Sequence, residues 1–297
     1  MMKIIPNLWF DNQAEEAADF YVSLFENSRI KNKAYYDAES SKVSGMTAGT
    51  LMTVEFELAG QMFININGGP VFSFTPATSF LVSCKTSNEV EKLYSKLSEN
   101  GNVLMPLDSY EFSEKYAWVN DRFGVSWQLL LGTREQKITP CLLFVQKQYG
   151  KAKQAIDFYV SIFDDSKIKE VVTYRQDENE KEGAVKFAEF IINGQQFTAM
   201  DSGRDHKFTF TPAVSFMVEC ENQNQIDHLW NNLSAVPQAE QCGWLQDKYG
   251  VSWQIVPAIL AQMILDKDSE RSARVRKSFY QMKKIDIDEL LKAYEQK

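Results

Sequence analysis

The sequence predicts an α+β fold of four βαβββ units, arranged as two tandem domains with a helical tail. Three observations carry this expectation. First, an eight-residue stretch occurs twice, as Asp121-Arg122-Phe123-Gly124-Val125-Ser126-Trp127-Gln128 and as Asp247-Lys248-Tyr249-Gly250-Val251-Ser252-Trp253-Gln254. A Trp stands three residues ahead of each Asp, at Trp118 and Trp244. Second, three more blocks recur in the same order: Phe20 to Phe25 with Phe158 to Phe163, Phe72 to Ala77 with Phe208 to Ala213, and Ser79 to Cys84 with Ser215 to Cys220. Third, the apolar periodicity between the blocks runs strand, helix, three strands, and then the same again.

The repeated stretch is itself a hairpin. Asp bonds the backbone beyond it and Gly accepts positive φ, so Asp-x-x-Gly is a turn. In the strand that follows, Val and Trp take one face and Ser and Gln the other. Trp127 and Trp253 are therefore expected in cores, whereas Trp118 and Trp244, just before the turn, are placed to meet a ligand.

Along the first copy, Lys3 to Phe10 reads as a strand and Ala14 to Phe25 as a helix with Ala17, Ala18, Tyr21 and Leu24 at helical spacing. Strands follow at Ile30 to Tyr36, Thr50 to Leu58 and Gln61 to Asn67, the last closed by Gly68-Gly69-Pro70. The second unit has a strand at Ser79 to Cys84, a helix from Ser87 to Leu97, and strands at Asn102 to Leu107, Lys115 to Asn120 and Val125 to Leu131. The first copy carries a longer loop at Leu107 to Lys115, and the second has extra residues near Gln146 to Gly150. This places one domain at 1–132, a linker at 133–138, a second domain at 139–257 and the tail at 258–297. Three helices are expected in the tail, packed back on the body, because a lone amphipathic segment is rarely stable.

With 44% hydrophobic and 24% charged residues the chain can bury real cores. It has no apolar run of membrane-spanning length, and the start is too quickly polar for a signal peptide, so no membrane partner and a cytoplasmic location are expected. A formal net charge of −8 argues against nucleic acid. The cysteines, Cys84, Cys141, Cys220 and Cys242, lack metal or redox spacing and are expected to be free thiols.

With these motifs, and with Cys242-Gly243-Trp244 and Met282 to Ile287, the chain resembles the vicinal oxygen chelate superfamily, which includes glyoxalase I, bleomycin-resistance proteins and extradiol dioxygenases. It is most similar to the PhnB-like branch, often labelled 3-demethylubiquinone 3-methyltransferase-like. The resemblance implies glyoxalase-like domains with cup-shaped mixed sheets, and a divalent ion held by His and Glu in the metal-dependent members. Carried over, those ligand positions fall near Pro6 or Asn7, Asn65, Ser79 and Gln128 in the first copy. In the second they fall near Pro140 or Cys141, Ala199, Ser215 and Gln254. None is a His, so no metal and no cofactor are expected. The chain's two histidines, His206 and His228, read as surface residues.

A methyltransferase cradle is not expected either, because Gly68-Gly69-Pro70 leaves a strand for a loop rather than a helix. Glu55, Glu57 and Glu189 are read as a charged outer sheet face.

The cavity candidates are thus Asn7, Asn65, Ser79, Trp118, Gln128, Asp201, Ser215, Trp244 and Gln254. Besides a structural scaffold whose cavities are vestigial, two functions stay open. One is a metal-free protein that binds a small molecule. The other is a lyase or dioxygenase whose metal is held by residues such as Glu55, Asp201 or Gln128. The fused copies are expected to act as an internal pseudo-dimer, in a monomer or a homodimer; which strands pair between the copies is open.

Overall fold

The computed structural model describes residues 2–134 and 136–296. The first unit is β1 (Lys3–Phe10), α1 (Ala14–Leu24), β2 (Arg29–Tyr35), a short α2 (Ala38–Ser44), β3 (Leu51–Leu58) and β4 (Gln61–Asn67). The second is β5 (Thr78–Cys84), α3 (Ser87–Leu97), β6 (Asn102–Tyr110), β7 (Ser113–Asn120) and β8 (Ser126–Leu131). The third is β9 (Ile138–Phe144), α4 (Ala152–Ile162), β10 (Lys167–Thr173), β11 (Val185–Ile192) and β12 (Gln195–Asp201). The fourth has β13 (Val214–Cys220), α5 (Gln223–Leu233), β14 (Trp244–Gln246) and β15 (Ser252–Pro257), one strand fewer after its helix. Pro237–Ala239 forms a 3-10 turn where β6 stands in the second unit; a proline there removes a ladder donor. The tail forms α6 (Leu260–Ile264), α7 (Ser269–Phe279) and α8 (Ile287–Glu295).

Helix α2 was not expected from the sequence. Its capping box pairs Asp37 with Ser40, and Gly45 ends it in the left-handed conformation at φ 75°.

The strands form two sheets, ordered β14-β15-β13-β1-β4-β3-β2 and β10-β11-β12-β9-β5-β8-β7-β6. Each sheet joins one unit from each copy, so the copies exchange halves. The seams are antiparallel: Asn7 on β1 pairs with Ser215 on β13, and Ser79 on β5 with Cys141 on β9.

The cores divide the other way, each lying within one copy. In the first copy, Phe63 of the seven-stranded sheet meets Phe80 of the eight-stranded sheet at 5.2 Å between ring centroids, and Phe80 meets Trp127 at 5.4 Å. The second copy repeats this with Phe197, Phe216 and Trp253 at 5.2 and 5.5 Å. Trp127 and Trp253 are fully buried, as their strand positions predict.

The repeated Asp locks each core. Asp121 Oδ2 accepts from Tyr21 on α1 at 2.7 Å and from the Trp127 indole at 2.9 Å, while Oδ1 accepts from the amides of Phe123 and Val125. Asp247 does the same with Tyr159 (2.7 Å), Trp253 (2.9 Å), Tyr249 and Val251. Gly124 and Gly250 close the turns at φ 91° and 94°. Burial pushes both carboxyls up, and the donors around each oppose that.

The tail packs back along the edge strand β14. The amides of Cys242 and Gly243 donate to the carbonyls of Met282 and Lys283, both at 2.8 Å. Arg276 on α7 pairs with Asp37 at 2.6 Å, so the tail joins β14 to α2, which follows the opposite edge strand β2.

Three outcomes are expected. Tyr159→Phe should lower stability by about 1 kcal/mol in urea unfolding, and Asp247→Ala by about 3 kcal/mol or more, since it strands several buried donors. Residues 1–132 expressed alone retain a core but expose the seam edges β1 and β5, so light scattering should find a dimer. A stable monomer would show that the seams do not drive association.

Candidate functional site

The faces turned away from the helices line two cups. The sheets curl: Trp9 on β1 and Trp244 on β14, three strands apart, meet edge-to-face at 6.1 Å. In a flat sheet those strands would lie about 14 Å apart. In the eight-stranded sheet, the tip of the β6–β7 hairpin brings Glu111 within electrostatic reach of Lys186 on β11. A flat sheet would separate these strands by roughly 29 Å.

The first cup, in the seven-stranded sheet, holds Asn7, Ser215, Trp244 and Gln254. Gln254 Nε2 donates to Ser215 Oγ at 3.0 Å, and Asn7 Nδ2 donates to the Ile5 carbonyl at 3.2 Å. Trp9 stacks edge-on against Phe72 at 5.1 Å. Burial pushes the Glu55 carboxyl up; Asn32 opposes this by hydrogen bonding, and the charge of Glu219 adds to it.

The second cup, in the eight-stranded sheet, holds Ser79, Trp118 and Gln128. Gln128 Nε2 donates to Ser79 Oγ at 2.8 Å and its Oε1 accepts from Tyr116 at 2.7 Å. Trp118 Nε1 donates to Ser126 Oγ at 2.8 Å. Beside them, Cys141 is buried, and burial pushes its thiol up against hydrogen bonds from Thr198, Gln128 and Ser79. Rings of Tyr110, Phe112 and Tyr116 pack at 4.9 to 5.7 Å along the hairpin that forms one wall.

A cavity of about 450 Å³ opens into this cup, lined by Leu130, Gly132, Thr133, Arg134, Lys169, Glu189 and Gln196. Glu189 takes Arg134 on one carboxylate oxygen and Lys169, at 3.4 Å, on the other. The Arg134 guanidinium also lies 5.3 Å from the centre of the Phe187 ring. Three buried polar atoms on adjacent strands of the same face have no hydrogen-bond partner among the described residues: Ser83 Oγ, Thr139 Oγ1 and Gln196 Oε1. Arg134 lies in the linker, and sequence reasoning missed it. Thr139, Gln196 and Ser83 were signalled only as polar residues alternating within apolar strands.

Two candidates face the wrong way. Asn65 Nδ2 donates to the Ala14 carbonyl at 2.9 Å, at the start of α1. Asp201 accepts from the amides of Gly150 (2.7 Å), Ala152 and Val185 (2.8 Å), and so holds the start of α4. Both side chains point to the helix layer. The true cup positions are one residue earlier than the Asn65 and Ala199 assignments: Ile64 pairs with Asn7, and Thr198 with Cys141. A one-residue slip exchanges the faces of a strand. Glu55, Glu57 and Glu189 belong to the cup faces, not to an outer one. His228 bonds the Ile162 carbonyl at 2.9 Å from α5, and His206 bonds Ser202 at 2.8 Å in a loop, so neither lines a cup.

The donor sets do not fit a catalytic metal. At the four superfamily positions, the first cup offers Asn7, Ile64, Ser215 and Gln254, and the second offers Cys141, Thr198, Ser79 and Gln128. Among the described residues no group of three or more His, Cys, Asp or Glu could hold an ion. The amide of Gln128 is already engaged at both ends. A nucleotide-type cradle fits no better at Gly68-Gly69-Pro70. A Cβ on Gly68 would lie 1.9 Å from the Trp9 indole, whose Nε1 donates to the Gly69 carbonyl at 2.9 Å. That glycine makes room for Trp9. Among the described residues no helix is long and apolar enough to cross a membrane.

Comparison with known proteins agrees with this fold. The model of the family described as 3-demethylubiquinone-9 3-methyltransferase matches twice, over residues 2–130 and 136–256. The PhnB protein of Bacillus cereus, described as a putative 3-demethylubiquinone-9 3-methyltransferase, is 43% identical over 44% of this chain and 99% of its own, with a TM-score of 0.40. A protein from Staphylococcus aureus is 37% identical over 44% of this chain and 97% of its own, with a TM-score of 0.19. Glyoxalase I from Zea mays covers 90% of this chain and 98% of its own at 10% identity and a TM-score of 0.56, which shows the shared fold. No curated protein matches. With one match to each copy, on a fold shared with glyoxalase I, the chain belongs to the 3-demethylubiquinone-9 3-methyltransferase-like, PhnB-like family.

Proposed function

We propose that this chain is a metal-free, small-molecule-binding protein of the cytoplasm, and that the second cup is its ligand cavity. The observation that carries this is the set of three unpartnered atoms on Ser83, Thr139 and Gln196 beside a cavity of about 450 Å³. A buried polar group without a partner costs about 1–3 kcal/mol, so three of them on one cup face are a standing cost that a ligand would relieve. The cavity volume lies in the range of small-molecule sites, which is about 300–1,000 Å³. The side chain of Leu130 in the cavity lining offers apolar contact surface. Four free thiols favour a reducing compartment.

Three measurements test this. Thr139→Val keeps the shape and removes the orphan hydroxyl, so it should raise the stability of the free protein by about 1 kcal/mol while weakening any ligand. Destabilisation instead would mean that the hydroxyl already serves the fold. Leu130→Trp should fill the cavity and abolish ligand-induced thermal shifts in a broad screen; retained shifts would place binding elsewhere. Adding Mn²⁺, Ni²⁺ or Zn²⁺ should leave the melting temperature unchanged, and a rise of several degrees would favour a metal-dependent lyase or dioxygenase.

A further inference from the structure

We infer that the second cup selects an anionic ligand, a carboxylate on an apolar body, which docks on Arg134 in competition with Glu189. This deepens the ligand-cavity reading above and rests on it. Arg134 is held ready for such a partner. Its side chain is about four-fifths buried, its face lies near Phe187, and one of its nitrogens is engaged by Glu189. A guanidinium presents five N–H donors in a fork that matches a carboxylate, so donors remain for a second anion. Lys169 takes the other oxygen of Glu189. Of the charged groups lining the cavity among the described residues, two are cations and one is a carboxylate, in a chain whose formal net charge is −8. Glu170, opposite Glu189 in the ladder, is exposed on the edge strand and screened by solvent. The unpartnered Ser83 and Thr139 hydroxyls can both donate, which suits an acceptor-only ligand group.

The first cup shows that these features are not general to the fold. Its repeat-matched positions carry Glu219 for Ser83, Ile5 for Thr139 and Met62 for Gln196. Glu55, which matches Glu189, faces Asn32 and the charge of Glu219 instead of an arginine. Burial and that neighbour both push its carboxyl up, as expected where no cation compensates. Lys31, at the place of Lys169, pairs with Glu57 at 3.2 Å, so the cups differ at the matched glutamates: Glu189 has Arg134 beside it and Glu55 has no such cation among the described residues. An anion is therefore expected to bind once per chain.

The test is isothermal titration of the full chain with a library of small aryl and alkyl carboxylates, each matched by its primary amide and its amine. Carboxylates should bind with a stoichiometry of one and exceed their amides by about tenfold or more, as for a charge-assisted contact. Arg134→Gln should abolish that preference while leaving amide affinity in place. Glu189→Gln should strengthen carboxylate binding, because it removes the internal competitor. Equal affinity for acid and amide, a preference for the amines, two sites per chain, or an unchanged preference in Arg134→Gln would overturn the anion assignment and leave the cavity reading standing. A loss of carboxylate affinity in Glu189→Gln would overturn the competition and make Glu189 a positioning residue for Arg134. Binding of none of the three ligand forms would sink the ligand-cavity reading itself.

Discussion

Everything in this molecule hangs on a buried aspartate that four donors hold in place. Asp121 and Asp247 each tie a turn, an indole and a tyrosine hydroxyl from a helix more than eighty residues upstream. A carboxylate stripped of water is costly, and only a full set of donors makes it tolerable. The cost carries a structural consequence: α1 is fixed to the β7–β8 hairpin, and α4 to the β14–β15 hairpin. These pairs belong to different sheets, so each Asp clamps a core that lies between sheets and inside one copy. The cups are thereby left to form across the copies.

This division explains what the sequence revealed and what it hid. Duplication, strand alternation and the burial of Trp127 and Trp253 were legible, because local periodicity reports which face of a strand is apolar. The β4 segment Gln61–Asn67 resisted that logic. Its inward face carries Asn65 and Asn67 beside Phe63, since the amides satisfy the start of α1, and its cup face carries Ile64 and Ile66. Polarity on β4 runs opposite to its usual meaning, and the assignment of Asn65 slipped by one residue. Asp201 misled for the same reason, as a carboxylate engaged by backbone amides at a helix start.

Arg134 was hidden for a different reason. Its place in a short polar linker carries no periodicity, and its arrival at the second cup depends on β9 pairing with β5 of the first copy on the side away from β12. Non-local pairing of this kind leaves no local trace. The lost strand of the fourth unit was partly legible through Pro237. Its replacement was not: the segment at Met282 and Lys283 bonds to the β14 end of the sheet through backbone groups that any residues could supply.

Fusion also bears on how the cups came to differ. In a dimer of identical single copies, a substitution in one cup appears in both, because symmetry repeats it. In the fused chain each cup draws its seam from different residues, Asn7 and Ser215 in one, Cys141 and Ser79 in the other. Glu219 stands in the first cup and Ser83 at the matched place in the second, a difference that symmetry would forbid. The walls diverged as well. The second cup keeps the long β6–β7 hairpin, whereas the tail joins the two sides of the first sheet through Arg276 and Asp37. A buried polar group without a partner costs stability. The unpartnered atoms of Ser83, Thr139 and Gln196 all lie in the second cup, while aromatic packing of Trp9 with Phe72 and Trp244 consolidates the first.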